Sequence, residues 1–214
     1  MVNYKGVIFD LDGTILDSLK VWENVDREFF KNKGIHMPIG YQKEINGMTF
    51  FESASYTKEV TGIDDSVEDI MKQWKNLAYK QYQKNVKLKS GVIEYLNYLK
   101  ENNVKIGIAT CCHKELYEVC LKKNEIYDFF DVIVDTEIIN VSKKEPDIYK
   151  YCGEKLGVDF NQIIVFEDLL DGIKSAKKLG MKVYFVANEN TFENIEEAIK
   201  ESDEYITDFR ELIY

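Results

Sequence analysis

The sequence predicts an α/β protein, a Rossmann-like parallel sheet with an α-helical module inserted after its first strand. Three observations predict it. Short, nearly all-apolar, β-branched runs recur at residues 7–9, 104–109, 132–134, 163–166 and 183–186, as expected of strands covered on both faces. From about residue 90 these runs alternate with helical patterns, the arrangement of a parallel sheet flanked by helices. Between the first run and the second, residues 15–88 hold no convincing strand.

The first strand ends at Asp10. Beyond it, helical spacing covers residues 19–32, 49–61 and 67–85. A structureless loop of that size is implausible in a compact domain, so a helical module belongs there. The expected division is a sheet-bearing core of 1–16 plus 88–214 and a helical insert of 17–87. The chain leaves near Asp17 and returns near Lys87, and two crossing strands permit hinge motion. Ser90 can cap the next helix, whose apolar side is Val92, Tyr95, Leu96 and Leu99. Ile148, Tyr151, Cys152 and Leu156 repeat that spacing, as do Ile173, Ala176 and Leu179. Gly180 then ends its helix just beyond the C-cap. In the insert, Trp22, Phe29, Phe30, Trp74, Tyr79 and Tyr82 fall at spacings typical of helix packing.

Composition bounds the function. The chain has 214 residues, a net charge of −10 and no clustered basic patch, which argues against nucleic acid and anionic membrane as partners. No apolar run reaches membrane-spanning length, and the N-terminus lacks a secretory pattern. Cys111, Cys112, Cys120 and Cys152 form no C-x-x-C pair, and with His36 and His113 they give no zinc spacing. Reduced thiols in a cytoplasmic protein are expected, and a monomer is the default.

Four strand ends carry the chemistry. In parallel sheets ligands bind beyond the carboxyl ends of the strands. The first end reads Asp10-Leu11-Asp12-Gly13-Thr14. Carboxylates at i and i+2 of an extended chain project to one side, where one can attack phosphorus while the other moves protons. Gly13 lets the backbone turn closely. The second end is Thr110, before a helix from about Lys114; a hydroxyl beside helix-start amides suits a phosphate oxygen, though alone it reads as a simple N-cap. The third is Ser142-Lys143-Lys144-Glu145-Pro146-Asp147, whose lysines alone would be surface charge. The fourth is Glu167-Asp168 followed by Asp171-Gly172. Adjacent acids at a strand end are costly without a counter-charge, and magnesium requires oxygen ligands of this kind.

Taken together these segments resemble the haloacid dehalogenase-like superfamily, in its branch of small phosphatases and β-phosphoglucomutase, over essentially the whole chain. Phe9-Asp10-Leu11-Asp12-Gly13-Thr14 is similar to the first family motif, Thr110 to the second, Lys143 to the third, and Phe166-Glu167-Asp168 with Gly172-Ile173 to the fourth. The resemblance implies a sheet of strand order 5-4-1-2-3 and a mobile helical cap. It implies Mg2+, with Asp10 as nucleophile and metal ligand. Asp12 would be acid/base and would ligate metal through its carbonyl. Asp168, with Glu167, would complete the metal site, and Asp171 would support it from behind. Thr110 and Lys143 would bind phosphate, with the Cys111 amide able to assist. The third motif departs from the family's G-K-P-x-P-D: Lys144 fills its first proline position and competes with Lys143.

The activity implied is hydrolysis of a small phosphorylated metabolite, a sugar phosphate or nucleotide-like monoester, through an aspartyl-phosphate. A phosphosugar mutase of the β-phosphoglucomutase kind is the nearest alternative. Phe50 stands where that mutase cap carries a basic residue, and Thr14 is the phosphatase form. A dehalogenase proper needs no Asp12 or Glu167-Asp168 pair. A regulatory module with a relict site is the alternative of another class, and the full motif set argues against it. Met48, Thr49 and Phe50 are candidates for substrate specificity. His36 reads as a loop residue, while His113 lies close enough in sequence to Thr110 to approach phosphate.

Overall fold

A computed structural model describes residues 4–45, 48, 50–139, 145–188 and 195–213. In chain order the elements are β1 (Gly6–Phe9), β2 (Leu16–Asp17), α1 (Val21–Lys33), α2 (Tyr41–Ile45), α3 (Phe50–Thr61), α4 (Val67–Lys84), β3 (Lys87–Leu88), α5 (Val92–Glu101), β4 (Lys105–Thr110), α6 (Lys114–Lys123), β5 (Val132–Asp135), α7 (Thr136–Ile139), α8 (Asp147–Leu156), β6 (Ile163–Glu167), α9 (Leu170–Lys178), β7 (Lys182–Val186), α10 (Ile195–Glu201) and β8 (Glu204–Ile206). Two compact units emerge, Met1–Ser18 with Lys87–Tyr214, and Leu19–Val86.

The first unit is built on a six-stranded parallel sheet of order β5-β4-β1-β6-β7-β8. The five expected strands, numbered along the chain, therefore lie in the order 5-4-1-2-3. The sixth, β8, has two of its three residues exposed, so it lacks the apolar run by which the others are read. β1 and β6 are buried at every position, because helices cover both faces of the sheet. Phe9 pairs with Ile108 on one side and Phe166 on the other, and its ring stacks on Phe166 at 5.1 Å. That register brings the ends of β1, β4 and β6 to one edge. A short antiparallel ribbon, β2 with β3, joins Leu16 to Leu88 and Asp17 to Lys87.

One expected cap is corrected. Ser90 does not cap α5; the N-cap is Gly91, with φ 78°. A Cβ at Gly91 would meet the Arg210 nitrogen and Asp208 Oδ1 at 2.6 Å. The close passage of the C-terminal segment thus selects glycine here, and Ser90 uses its carbonyl to accept from Phe209 N at 3.2 Å. At α9 the sequence pattern and structure agree: Gly180, φ 76°, follows the C-cap Leu179.

The second unit is helical. Its core joins Val25, Phe29 and Phe30 of α1 to Ile70, Trp74, Leu77, Ala78 and Tyr82 of α4. Phe29 meets Trp74 edge-on at 5.7 Å and Phe30 meets Tyr41 at 4.9 Å. Ser66 caps α4, accepting from Asp69 N at 3.0 Å. α2, with five residues, is too short to show periodicity in sequence. Trp22 and Tyr79 are partly exposed, although the Trp22 ring still meets Phe50 edge-on at 5.7 Å. No described helix is long and apolar enough to cross a membrane.

Candidate active site

The site is assembled by strand ends. Past β1, the Asp10 N–H donates to the Phe166 carbonyl at 2.9 Å, which holds Asp10 level with the end of β6. One carboxylate oxygen each from Asp10, Glu167 and Asp168 lies within 4.8 Å of the others, and all three residues are buried. Three carboxylates so close in a dry setting repel strongly unless a cation or proton intervenes. The donors are all hard oxygens, which fits magnesium rather than a softer metal.

The loop after Asp10 shapes the next contacts. The Leu11 carbonyl accepts from the amides of Thr14, Ile15 and Leu16 at 2.9–3.2 Å. Gly13 turns the chain with φ 85°, in the region that favours glycine. Thr14 is thereby buried, and its hydroxyl donates to Asp168 Oδ1 at 3.3 Å. Asp12 is half-buried, and Ser18 Oγ donates to its Oδ1 at 2.6 Å. The Asp12 carboxylate is not in the three-acid group.

The fourth strand end is held from several sides. The Tyr149 hydroxyl of α8 donates to Glu167 Oε2 at 2.6 Å, and Leu169 N to Oε1 at 3.2 Å. Asn188, just past β7, donates to Asp168 Oδ2 at 3.1 Å. Lys89, just past β3, donates to the Gly13 carbonyl at 3.0 Å, to the Ala187 carbonyl at 3.4 Å, and to Asn188 Oδ1. Burial lowers the Lys89 pKa, although Asp168 and Asp17 pull the other way.

At the end of β4 the buried Thr110 accepts from Cys112 N through its Oγ1 at 2.9 Å. Cys111 is exposed between them. His113 occupies the N-cap position of α6 without a side-chain capping bond. Asp171 is exposed in the first turn of α9, outside the three-acid group. Lys143 and Lys144 lie outside the described residues, as does Thr49. Met48 is exposed and Phe50 half-buried, both in the helical unit.

The structure thus brings together Asp10, Glu167 and Asp168, and adds Thr14, Ser18, Lys89, Tyr149 and Asn188 to their surroundings. The last four were not singled out from the sequence. Asn188 stood just beyond an apolar strand, a position that merits attention in any parallel sheet. Lys89 follows the point where the chain returns to the sheet. Tyr149 carries no signal, because its spacing is that of a core residue.

The family model described as haloacid dehalogenase-like hydrolase matches residues 7–186. The phosphorylated carbohydrates phosphatase of Thermotoga maritima is 26% identical over 185 residues, 86% of each chain. A HAD hydrolase, family IA, variant 3, from Entamoeba histolytica superposes with a TM-score of 0.76 at 28% identity, covering 97% of this chain and 94% of its own. A β-phosphoglucomutase from Clostridium difficile shares the fold, with a TM-score of 0.72 at 22% identity over 99% of this chain and 94% of its own.

Proposed function

The chain belongs to the haloacid dehalogenase-like hydrolases, and from that premise we propose that it is a magnesium-dependent phosphatase of a small phosphorylated metabolite, working through an aspartyl-phosphate on Asp10. The observation that carries the reading is the buried group of Asp10, Glu167 and Asp168 at the carboxyl edge of a parallel sheet. Magnesium held by those acids and the Asp12 carbonyl would offset the charge of the phosphate oxygens.

The chain's own residues do the rest. Thr110, the Cys111 amide and Lys143 (or Lys144) hold the phosphate. The Asp10 carboxylate attacks phosphorus, the bond to the alcohol oxygen breaks, and Asp12 gives that oxygen a proton. Asp12 then takes a proton from water, which attacks phosphorus and frees Asp10. Ser18, donating to Asp12 at 2.6 Å, sets the direction of that carboxyl. Asp171 supports the metal acids from the first turn of α9. The helical unit acts as a cap, in which Met48, Thr49 and Phe50 contribute specificity.

Hydrolysis is favoured over mutase chemistry by one feature. A mutase must grip a second phosphate, yet Phe50 stands at the position where a cap cation is expected, and it lines a cavity with no Lys, Arg or His among its described lining residues.

The test is turnover of p-nitrophenyl phosphate with and without magnesium, for the wild type and Asp10→Asn. Magnesium-dependent release of nitrophenol, lowered by at least ~10³-fold in the variant, is expected. Turnover undiminished in Asp10→Asn would exclude the mechanism.

A further inference from the structure

At the end of β5 a second buried tyrosine–carboxylate pair repeats the one at β6. Asp135 closes β5 and is 2% exposed. Its Oδ2 accepts from the hydroxyl of Tyr117, on α6, at 3.1 Å, and its Oδ1 accepts from Ile138 N, in α7, at 3.0 Å. Tyr117 is itself buried. Burial above all, and then the Asp135 charge, pushes its pKa above the ordinary tyrosine range, so the hydroxyl stays a donor. A carboxylate is costly to bury unless donors satisfy it, and here the two donors come from two different helices. As a cap for α7 alone, Asp135 would need only the Ile138 amide; the Tyr117 bond adds α6 to the same carboxylate.

Both helices lead to the phosphate end of the site. Thr110 and Asp135 are partners in the β4–β5 register, so Asp135 stands level with Thr110 at the carboxyl edge of the sheet. α6 starts just past the loop in which Thr110 Oγ1 accepts from Cys112 N at 2.9 Å. Tyr117 N donates to the His113 carbonyl at 3.1 Å, which fixes the tyrosine to the N-cap of that helix. On the other side α7 ends at Ile139, four residues before Lys143. The helix that starts beyond Thr110 and Cys111, and the helix that precedes the lysines, therefore meet at one carboxylate. Asp135 is not one of the three metal acids, which stand at the ends of β1 and β6.

We propose that Asp135 is a positioning residue for phosphate binding, holding the Thr110 loop and the approach to Lys143 in mutual register through Tyr117 and Ile138. The inference rests on the phosphatase reading for the identity of the ligand. It separates the two ends of the site: Tyr149 serves the metal acids, and Tyr117 serves the phosphate.

Tyr117→Phe removes the donor and keeps the ring, and Asp135→Ala removes both acceptors. The full-length wild type and both variants would be titrated calorimetrically, first with magnesium and then, magnesium-loaded, with inorganic phosphate. Phosphate affinity is expected to fall about fivefold or more in each variant, the scale of one hydrogen bond, while magnesium affinity stays at the wild-type value. Tyr149→Phe is the control for the metal end and should weaken magnesium instead. Melting curves establish that each variant is folded; if Asp135→Ala is not, Tyr117→Phe alone decides. The proposal is overturned if phosphate binds Tyr117→Phe as it binds the wild type, if magnesium and phosphate weaken together in Tyr117→Phe, as a general loosening of the core would cause, or if the wild type takes up no phosphate. Failure of the phosphatase reading would show separately, as absent magnesium-dependent hydrolysis of p-nitrophenyl phosphate by a wild type that still takes up inorganic phosphate more tightly than the variants do.

Discussion

Tyr149 donates its hydroxyl to Glu167 Oε2 across 2.6 Å, and both side chains are fully buried. The bond fixes one acid of the group from a helix that otherwise serves the core. Tyr149→Phe keeps the packing and removes the donor. The expected result is a loss of about 1–3 kcal/mol in unfolding free energy and a magnesium concentration for half-saturation raised about 10–100-fold. Urea unfolding and the magnesium dependence of hydrolysis measure the two effects. Unchanged magnesium dependence would show that Tyr149 does not orient Glu167.

Gly172 imposes a tighter condition on the same acid. A Cβ built on it would stand 2.5 Å from Glu167 Cδ, closer than any real contact. Gly172→Ala must therefore push either α9 or the Glu167 carboxylate aside. Its helix propensity should favour alanine by about 1 kcal/mol, so a variant that melts lower and needs more magnesium would trace to the clash. A variant that melts higher with unaltered magnesium dependence would contradict the crowding.

Much of this arrangement is legible in sequence because buried parallel strands advertise themselves. Val7-Ile8-Phe9 and Ile163-Ile164-Val165-Phe166 are apolar on both faces, and the polar residues that follow stand out against them. β8 is not legible, since an edge strand with Glu204 and Tyr205 exposed needs no apolar run. Gly91 displaces Ser90 as the cap for a tertiary reason, the passage of Asp208 and Arg210. The surroundings of the acids are equally tertiary. The contact of Lys89 with Gly13 spans 76 positions in the chain, and no local spacing encodes it.

Lys89 ties three loops together, through Gly13, Ala187 and Asn188, and Asn188 in turn donates to Asp168. Lys89→Met removes all three bonds while keeping much of the volume. Turnover should fall about 10–100-fold with a higher magnesium half-saturation point, the scale of lost support around a metal ligand. Lys89→Arg should rescue only in part, because a planar guanidinium cannot reproduce three diverging ammonium bonds. Steady-state kinetics across a magnesium series decides; a fall in turnover with an unmoved magnesium midpoint would assign Lys89 to folding alone.

The last prediction concerns pH and the helical unit. Asp26 has a folded pKa raised from 3.8 to about 7, by burial first and by Glu23 second, with the Gln42 hydrogen bond opposing. Between those values the folded protein holds a proton that the unfolded chain has released. Stability therefore falls as pH rises through this window and levels off above it. At ~1.4 kcal/mol per pH unit, the ionised carboxyl costs the fold on the order of 4 kcal/mol at pH 8. Asp26→Asn cannot ionise and retains hydrogen-bonding groups, so it should raise the unfolding free energy relative to the wild type at pH 8. The advantage should shrink steadily toward pH 4, where the wild-type carboxyl is protonated in the folded state and increasingly so in the unfolded. Urea unfolding of both proteins at pH 4, 6 and 8 measures it. A difference independent of pH would mean that Asp26 titrates alike in both states and carries its charge in the folded helical unit at neutral pH.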